Sequence, residues 1–508
     1  MSNETTTADG GVRKKGKLGQ RIAYACGNLG QSAFYNAMST YFIVYVTGCL
    51  FSGVDKALAA KLIGVITSLV VIIRIAEIFI DPLLGNLIDN TNTKWGRFRP
   101  WQFFGGLISA VLLAVIFSGM FGLVNVNTTL FIVLFVITFV VLDVFYSLRD
   151  ISYWGMIPAL SSDSHERSTY TALGSFTGSI GYNGITVVVI PIVTYFSWVF
   201  TGKYVESQSG WTCFGIIVGL LGLLTAWTVA FGTKENESAL RSKAQKNGNP
   251  IEAFKAIFQN DQLLWVALSY LLYAIANVAT TGVLIFLFKF ILDNQAAYSL
   301  TGVIALVAGL VMAPLYPILN KRIPRRYLYI GGMISMIAGY VMLGIFSDNI
   351  IMVFVALVLF YVPGTLIQMT AILSLTDSIE YGQLKNGKRN EAVTLSVRPM
   401  LDKIGGALSN GITGFIAVAA GMTGNATAAD MTPSNIHTFE ICAFYVPLIL
   451  IVLSLLVFMF KVKIDEKMHA KIVKELEAKL ASGEIVDDEA QTAETVEAID
   501  EEAKTLTE

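Results

Sequence analysis

The sequence predicts an all-α polytopic membrane protein, with twelve transmembrane helices in two six-helix bundles. Three observations carry that prediction. The 508-residue chain is 54% hydrophobic and only 14% charged, where a soluble domain holds about 25% charged residues, and its mean hydropathy is +0.62. Apolar runs of about 20 residues, the length that crosses a bilayer as a helix, recur along the whole chain. The loops between those runs alternate between basic and nearly free of Lys and Arg. A soluble protein with buried helices does not account for that spacing.

Taken in order, residues 1–20 form a polar tail. Twelve spans follow at about 22–50, 59–88, 101–123, 128–155, 168–198, 211–232, 262–291, 297–319, 327–347, 350–374, 391–421 and 438–461. One side of the membrane receives Arg13, Lys14, Lys15, Lys17 and Arg21, then Lys94, Arg97 and Arg99, then Arg167. It continues with Lys234, Arg241, Lys243 and Lys246, then Lys321, Arg322, Arg325 and Arg326, then Lys385, Lys388 and Arg389. The other side holds little beyond Lys56, Lys203 and Lys289. Excess positive charge marks cytoplasmic loops, so both termini are expected in the cytoplasm of a cell-membrane protein.

The longest internal polar segment, Thr233–Gln262, divides the spans into six plus six. The expected domains are a tail at 1–21, a first bundle at 22–232, a central loop at 233–261, a second bundle at 262–461 and an acidic tail at 462–508. The basic exit of span 2, KWGRFRP, is echoed after span 8 by NKRIPRR, as a duplicated bundle would show. Val462–Lys479 is expected to be a charged helix leaving the membrane, followed by a solubilising tail with acidic clusters at Asp487–Glu489 and Asp500–Glu502.

Composition also excludes. Cys26, Cys49, Cys213 and Cys442 are scattered through spans and form neither a CxxC site nor a disulfide framework. The start lacks a cleavable leader pattern. There is no GxxxxGK[ST] phosphate loop, so ATP is not the evident energy source. No nucleophile, metal or cofactor constellation points to an enzyme.

Polar groups at membrane depth are the informative residues. Span 2 carries Arg74, Glu77 and Asp81 at spacings that share one helical face. Span 4 carries Asp143, Arg149 and Asp150, then Tyr153 and Trp154; span 11 carries Arg398, Asp402 and Lys403. An ionisable group inside a bilayer is costly, by about 2.5–3.5 kcal/mol on insertion scales, and faces a protein interior or a water path. For Arg74 and Arg398, an ion pair that only fixes helix packing stands beside a direct role. Carboxylates suit two tasks here: an ionised one accepts hydrogen bonds from sugar hydroxyls, and one in a dry site carries a proton or, in a pair, holds sodium. Asp150 and Trp154, at i and i+4, put an acid and an indole plate on one face, a way to hold a sugar ring; an interfacial anchor is the plainer role for Trp154. His165, His437 and His469 all lie outside the deep part of a span, so a proton relay would rest on acids. Gly174/Gly178 and Gly215/Gly219 are expected to permit close helix packing, and Pro82, Pro158, Pro191, Pro314 and Pro399 to bend or end spans.

These stretches resemble a known family. IDPLLGNLIDNTNTKWGRFRPW, YSLRDISYWGMIPAL, DSIEYGQLKNGKRNEA and SVRPMLDKIGGALSNG are similar to signature segments of the glycoside–pentoside–hexuronide:cation symporters, a branch of the major facilitator fold. The resemblance runs from about Ile22 to Lys463. It implies a cation site at Glu77 and Asp81, with Ser147 and Lys403 beside it, and a sugar site at Asp150 and Trp154, with Arg149, Tyr35 and Asn36 as further contacts. Melibiose carriers have Asp where this chain has Glu77, and a charged pair where it has Gln31 and Ser32. GNLGQSAFYNAMSTYFIVYVT looks closer to the mainly proton-coupled lactose and galactoside permeases. Many of those carry a fused phosphotransferase-type domain, for which the residues after span 12 are expected to be too few.

The expected function is cation-coupled import of a galactoside such as lactose, melibiose or raffinose. A pentoside or hexuronide symporter or a sugar exchanger of the same family is the alternative, and a membrane sugar sensor is the alternative from another class. The expected partners are a small sugar, the lipid bilayer and a coupling cation, H+ ahead of Na+, with no cofactor and no nucleic acid. A sodium ion, if used, would sit at Glu77 and Asp81. A monomer is expected to function, with a dimer left open.

Overall fold

The computed structural model describes residues 18–91, 93–160, 164–235, 258–386, 391–423 and 426–481. The expected tail at 1–17, most of the central loop (236–257) and the acidic tail from 482 lie outside the described residues. Ten helical spans are long and apolar enough to cross a membrane among the described residues. Nine of these are built on α2 (Lys56–Asp89), α3 (Arg99–Phe117), α4 (Thr128–Gly155), α5 (Ser164–Thr201), α6 (Gln208–Gly232), α7 (Asp261–Phe286), α8 (Ser299–Asn320), α9 (Arg325–Ile345) and α10 (Ile350–Asn386). The tenth runs from Pro433 to Lys461 and ends in Val446–Lys461, called α12.

Two further rods complete the series. The first starts as α1 (Leu18–Asn36) and stays helical to Leu50 through π-helical turns at Ala37–Tyr41 and Val46–Leu50. The second is α11 (Glu391–Ala419), whose charged first half leaves only Ile404–Ala419 apolar. A last helix, α13 (Glu466–Ala481), continues beyond α12. The expected charged helix at Val462–Lys479 thus begins four residues later, because Asp465 caps it: its carboxylate accepts from Met468 N at 2.8 Å. Pro191 sits inside α5 without ending it. All four cysteines are free thiols.

The chain gathers into two compact units, Met1–Tyr45 with Ala76–Ala244, and Val46–Ile75 with Gln245–Glu508. In the first unit, α1 packs on α5 and α6, and α3 packs on α4 and α6. In the second, α7 packs on α11 and α12, and α9 packs on α10 and α12. Each of these four pairs maps onto its counterpart by a shift of six helices. Residues 46–75, at the end of the first rod and the start of α2, group with the second unit, where Val46–Leu50 touches α11.

The close approaches follow from small residues. A Cβ at Gly219 would sit 2.9 Å from the Ala110 carbonyl of α3, and one at Gly174 would sit 2.9 Å from the Tyr153 hydroxyl of α4. Close approach of this kind lets helices associate where hydrophobic burial offers little advantage over lipid.

The two basic exits are built alike. Glu235, just past α6, accepts from the backbone N–H groups of Arg97, Phe98 and Arg99 at 2.8, 2.9 and 3.0 Å, at the start of α3. The Arg99 guanidinium donates back to the Ala230 carbonyl of α6 at 2.5 Å. In the second unit, Glu466 accepts from Arg325 N at 2.6 Å at the start of α9, and Arg326 donates to the Met459 carbonyl of α12 at 2.6 Å. An acid thus satisfies orphan N–H groups at one helix start, and an arginine satisfies orphan carbonyls at a neighbouring helix end. Gly96 enters the first turn at φ +108°, and a Cβ there would sit 2.6 Å from the Glu235 carboxyl carbon, so only glycine fits.

Candidate functional site

In the first unit, α4 is fixed to its neighbours at both ends of the motif YSLRDISYW. Tyr24 of α1 and Tyr153 stack at 4.3 Å. Each donates its hydroxyl to the other's backbone carbonyl, at 3.1 and 2.8 Å. From α3, Gln102 donates to Arg149 O at 2.6 Å and to Ser152 Oγ at 2.7 Å. The register of Ser147, Asp150 and Trp154 is therefore set by buried hydrogen bonds on the opposite side of the same helix.

On the remaining face the predicted acids come together. Ser147 Oγ donates to Glu77 Oε1 at 2.6 Å, joining α2 to α4. Gln31 Nε2 of α1 donates to Asp150 Oδ1. Ser147 and Asp150 are three residues apart on α4, so the Glu77 carboxylate meets α4 one turn from Asp150, and Trp154 lies one turn beyond Asp150. Trp154 remains 37% exposed and meets Tyr153 edge-on at 5.2 Å, which leaves indole surface for another ring. Asp81, one turn beyond Glu77, is half-buried. Tyr35 stacks with Tyr146 of α4 at 5.9 Å, one turn from Gln31.

Two predicted contacts point elsewhere. Asn36 donates to the Tyr182 carbonyl at 2.6 Å and to Thr186 Oγ1 at 3.3 Å, tying α1 to α5. Arg149 is fully buried, with Nη2 3.5 Å from the Gly27 carbonyl and from Thr225 Oγ1, between α1 and α6. Adjacent residues on a helix diverge by about 100°, so Asp150 can face one side and Arg149 another. Lys403 belongs to α11 in the second unit, and the side chains of Arg398, Asp402 and Lys403 lie outside the described residues.

Gln31 is the site residue that motif reasoning did not assign a role, although its departure from the family's charged pair was visible. Its signal was an amide inside an apolar span, four residues before Tyr35. Chemically, the cluster offers one carboxylate held by an amide donor and an exposed indole beside it. One helical turn away is a second carboxylate held by a hydroxyl. The first pair can take vicinal hydroxyls on a ring, and the second can take or release a cation.

Residues 23–466 match the family described as MFS/sugar transport protein. A lactose permease of Leuconostoc lactis is 54% identical over 469 residues, covering 92% of this chain and 73% of the relative. A raffinose carrier protein of Pediococcus pentosaceus is 36% identical, over 91% of this chain and 72% of the relative. Among solved structures, a bacterial homologue of the human lysosomal transporter Spinster aligns with TM-score 0.60 at 12% identity, over 90% of this chain and 97% of that one, a likeness of fold. By the family match and by identity over nine-tenths of its length, the chain belongs to the MFS/sugar transport protein family, the glycoside–pentoside–hexuronide:cation symporters that its motifs resemble.

Proposed function

We propose that the protein imports a galactoside together with a cation by alternating access, with six-helix bundles at 22–232 and 262–461 as its two halves. The observation that carries this reading is Gln31 donating to Asp150, with Trp154 one turn along α4, beside the Glu77–Ser147 pair. Lactose and raffinose, named for two relatives, share a terminal galactosyl unit, so that unit is the part the site must recognise. Asp150 accepts its vicinal hydroxyls, Trp154 packs on its C–H face, and Gln31 and Tyr35 complete the wall.

Glu77, with Asp81 and Ser147, takes the coupling cation, and Lys403 is assigned to the same function from α11. A proton is the favoured ion: one carboxylate is enough to carry it, and Glu77 replaces the aspartate of the melibiose carriers. Loading Glu77 removes its repulsion on Asp150, so cation binding raises sugar affinity, and sugar raises cation affinity by the same factor. A cation entering down the membrane potential supplies about 2.3 kcal/mol per 100 mV to lift sugar uphill. In this reading both termini are cytoplasmic, which the basic loops support, and the monomer carries the cycle.

Counterflow in proteoliposomes preloaded with unlabelled sugar tests the substrate. Labelled lactose, melibiose and raffinose are expected to enter saturably, xylosides weakly, with a dependence on pH and none on sodium. Preference for a xyloside or a hexuronide would move the chain to the pentoside or hexuronide branch. Failure of every sugar in folded protein would defeat the reading.

A further inference from the structure

Among the described residues of the second unit, several buried polar side chains lack a hydrogen-bond partner, and three of these are carried by α11 and α2. Asn410 of α11 is 0% exposed, and neither its Oδ1 nor its Nδ2 meets a hydrogen-bond partner among the described residues. Thr413 Oγ1, one turn on, and Thr67 Oγ1 of α2 are in the same condition at 1% and 6% exposure. Native interiors leave few such groups, and a carboxamide offers two donors and two acceptor lone pairs at once.

Glycines set two of them on either side of Asn410, in the wedge where α7, α11 and α2 approach one another. Thr413 packs against Gly282 of α7, and Thr67 packs against Gly414 of α11, while Val71 meets Gly411. Position 410 lies about 60° from 413 and about 40° from 414 around α11, so Asn410 stands between the edge facing α7 and the edge facing α2. The neighbouring hydroxyl of Ser409 is already donated to the Val278 carbonyl at 3.1 Å, so it does not compete for the wedge.

We propose that Asn410, Thr413 and Thr67 form a binding site for a hydroxyl group, one that accepts from the Asn410 amide and donates to Asn410 Oδ1 or a threonine oxygen. The three groups are uncharged and mix donors with acceptors. That suits O–H better than a bare cation, which the Nδ2 hydrogens would repel. Two sources supply this chemistry: a structural water, or a hydroxyl of the transported sugar. Thr67 precedes Glu77 by ten residues, or about 15 Å along α2, so the wedge is separate from the cation-site acids. The sugar source rests on the proposed function; the water source does not.

The test uses shape-preserving changes in the full chain: Thr413→Val and Thr67→Val, with Thr413→Ser as the variant that keeps the hydroxyl. Melting temperature without sugar and lactose affinity by calorimetry are read together. A held water predicts that both valines lower the melting temperature, that Thr413→Ser restores it, and that lactose affinity is kept. A held sugar hydroxyl predicts an unchanged melting temperature without sugar and a loss of lactose affinity of about five- to tenfold in the valines. If the valines melt at the same or a higher temperature and bind lactose as before, the threonines were merely buried and the proposal is overturned. Because the melting readout needs no sugar, failure of the galactoside reading leaves the water arm standing.

Discussion

At the scale of single residues, the account rests on what Asp150 and Glu77 each hold. Asp150→Asn removes an ionised acceptor, and hydrogen bonds to charged groups contribute about 1.5–3 kcal/mol. Lactose affinity is therefore expected to fall at least about tenfold by calorimetry while the fold survives. Gln31→Leu takes the amide donor from Asp150 Oδ1 and is expected to weaken lactose binding in the same direction. Normal affinity in that variant would make Gln31 a packing residue. Glu77→Gln keeps shape but not the titrating group; it is expected to retain counterflow and lose accumulation driven by an ion gradient. The acids and the indole were legible in the sequence because ionisable residues stand out against apolar spans and fall at helical spacings. Orientation was not legible. Asn36 and Arg149 belong to the same motifs, yet one binds the Tyr182 carbonyl and the other lies between α1 and α6. Hydrogen-bond partners on a third helix decide that, and local spacing does not contain them.

Elements were read mainly from apolar length, which is why the ten long spans were plain. The first rod and α11 stand out less for physical reasons: Gln20, Arg21, Asn28, Gln31, Ser32 and Asn36 dilute the apolar character of one, and charge gathers in the first half of the other. The far end of α10 was missed. It runs to Asn386, well past the expected 374, held by Lys385 Nζ and the Tyr381 hydroxyl on Asp261 Oδ1 at 2.5 and 3.0 Å. The basic exits were seen as charge alone, whereas Glu235 and Glu466, distant in sequence, supply the caps. Glu235→Ala leaves three N–H groups at the start of α3 without their acceptor and is expected to cost about 1–2 kcal/mol, read as a lowered melting temperature. Glu235→Gln is expected to recover part of it, since the amide oxygen still accepts. No change in either variant would show that other groups satisfy the turn.

At the scale of the molecule, loop charge and span number together predicted a duplicated helical membrane protein. Among the described helices, the four packing pairs named in the first unit recur in the second under a shift of six. The grouping of 46–75 with the second unit was not predictable, because the charges of α2 mark its second half without saying which helices its first half packs against. Function at this scale is a coupling: sugar and cation must cross together. The most direct measurement is ion movement evoked by sugar. Lactose is added to sodium-free proteoliposomes containing the protein and a trapped pH indicator. The account predicts that inward lactose flux acidifies the lumen, and that Glu77→Gln vesicles exchange lactose without acidifying. Lactose entry with no proton movement, and none of sodium when sodium is supplied, would contradict the coupled mechanism.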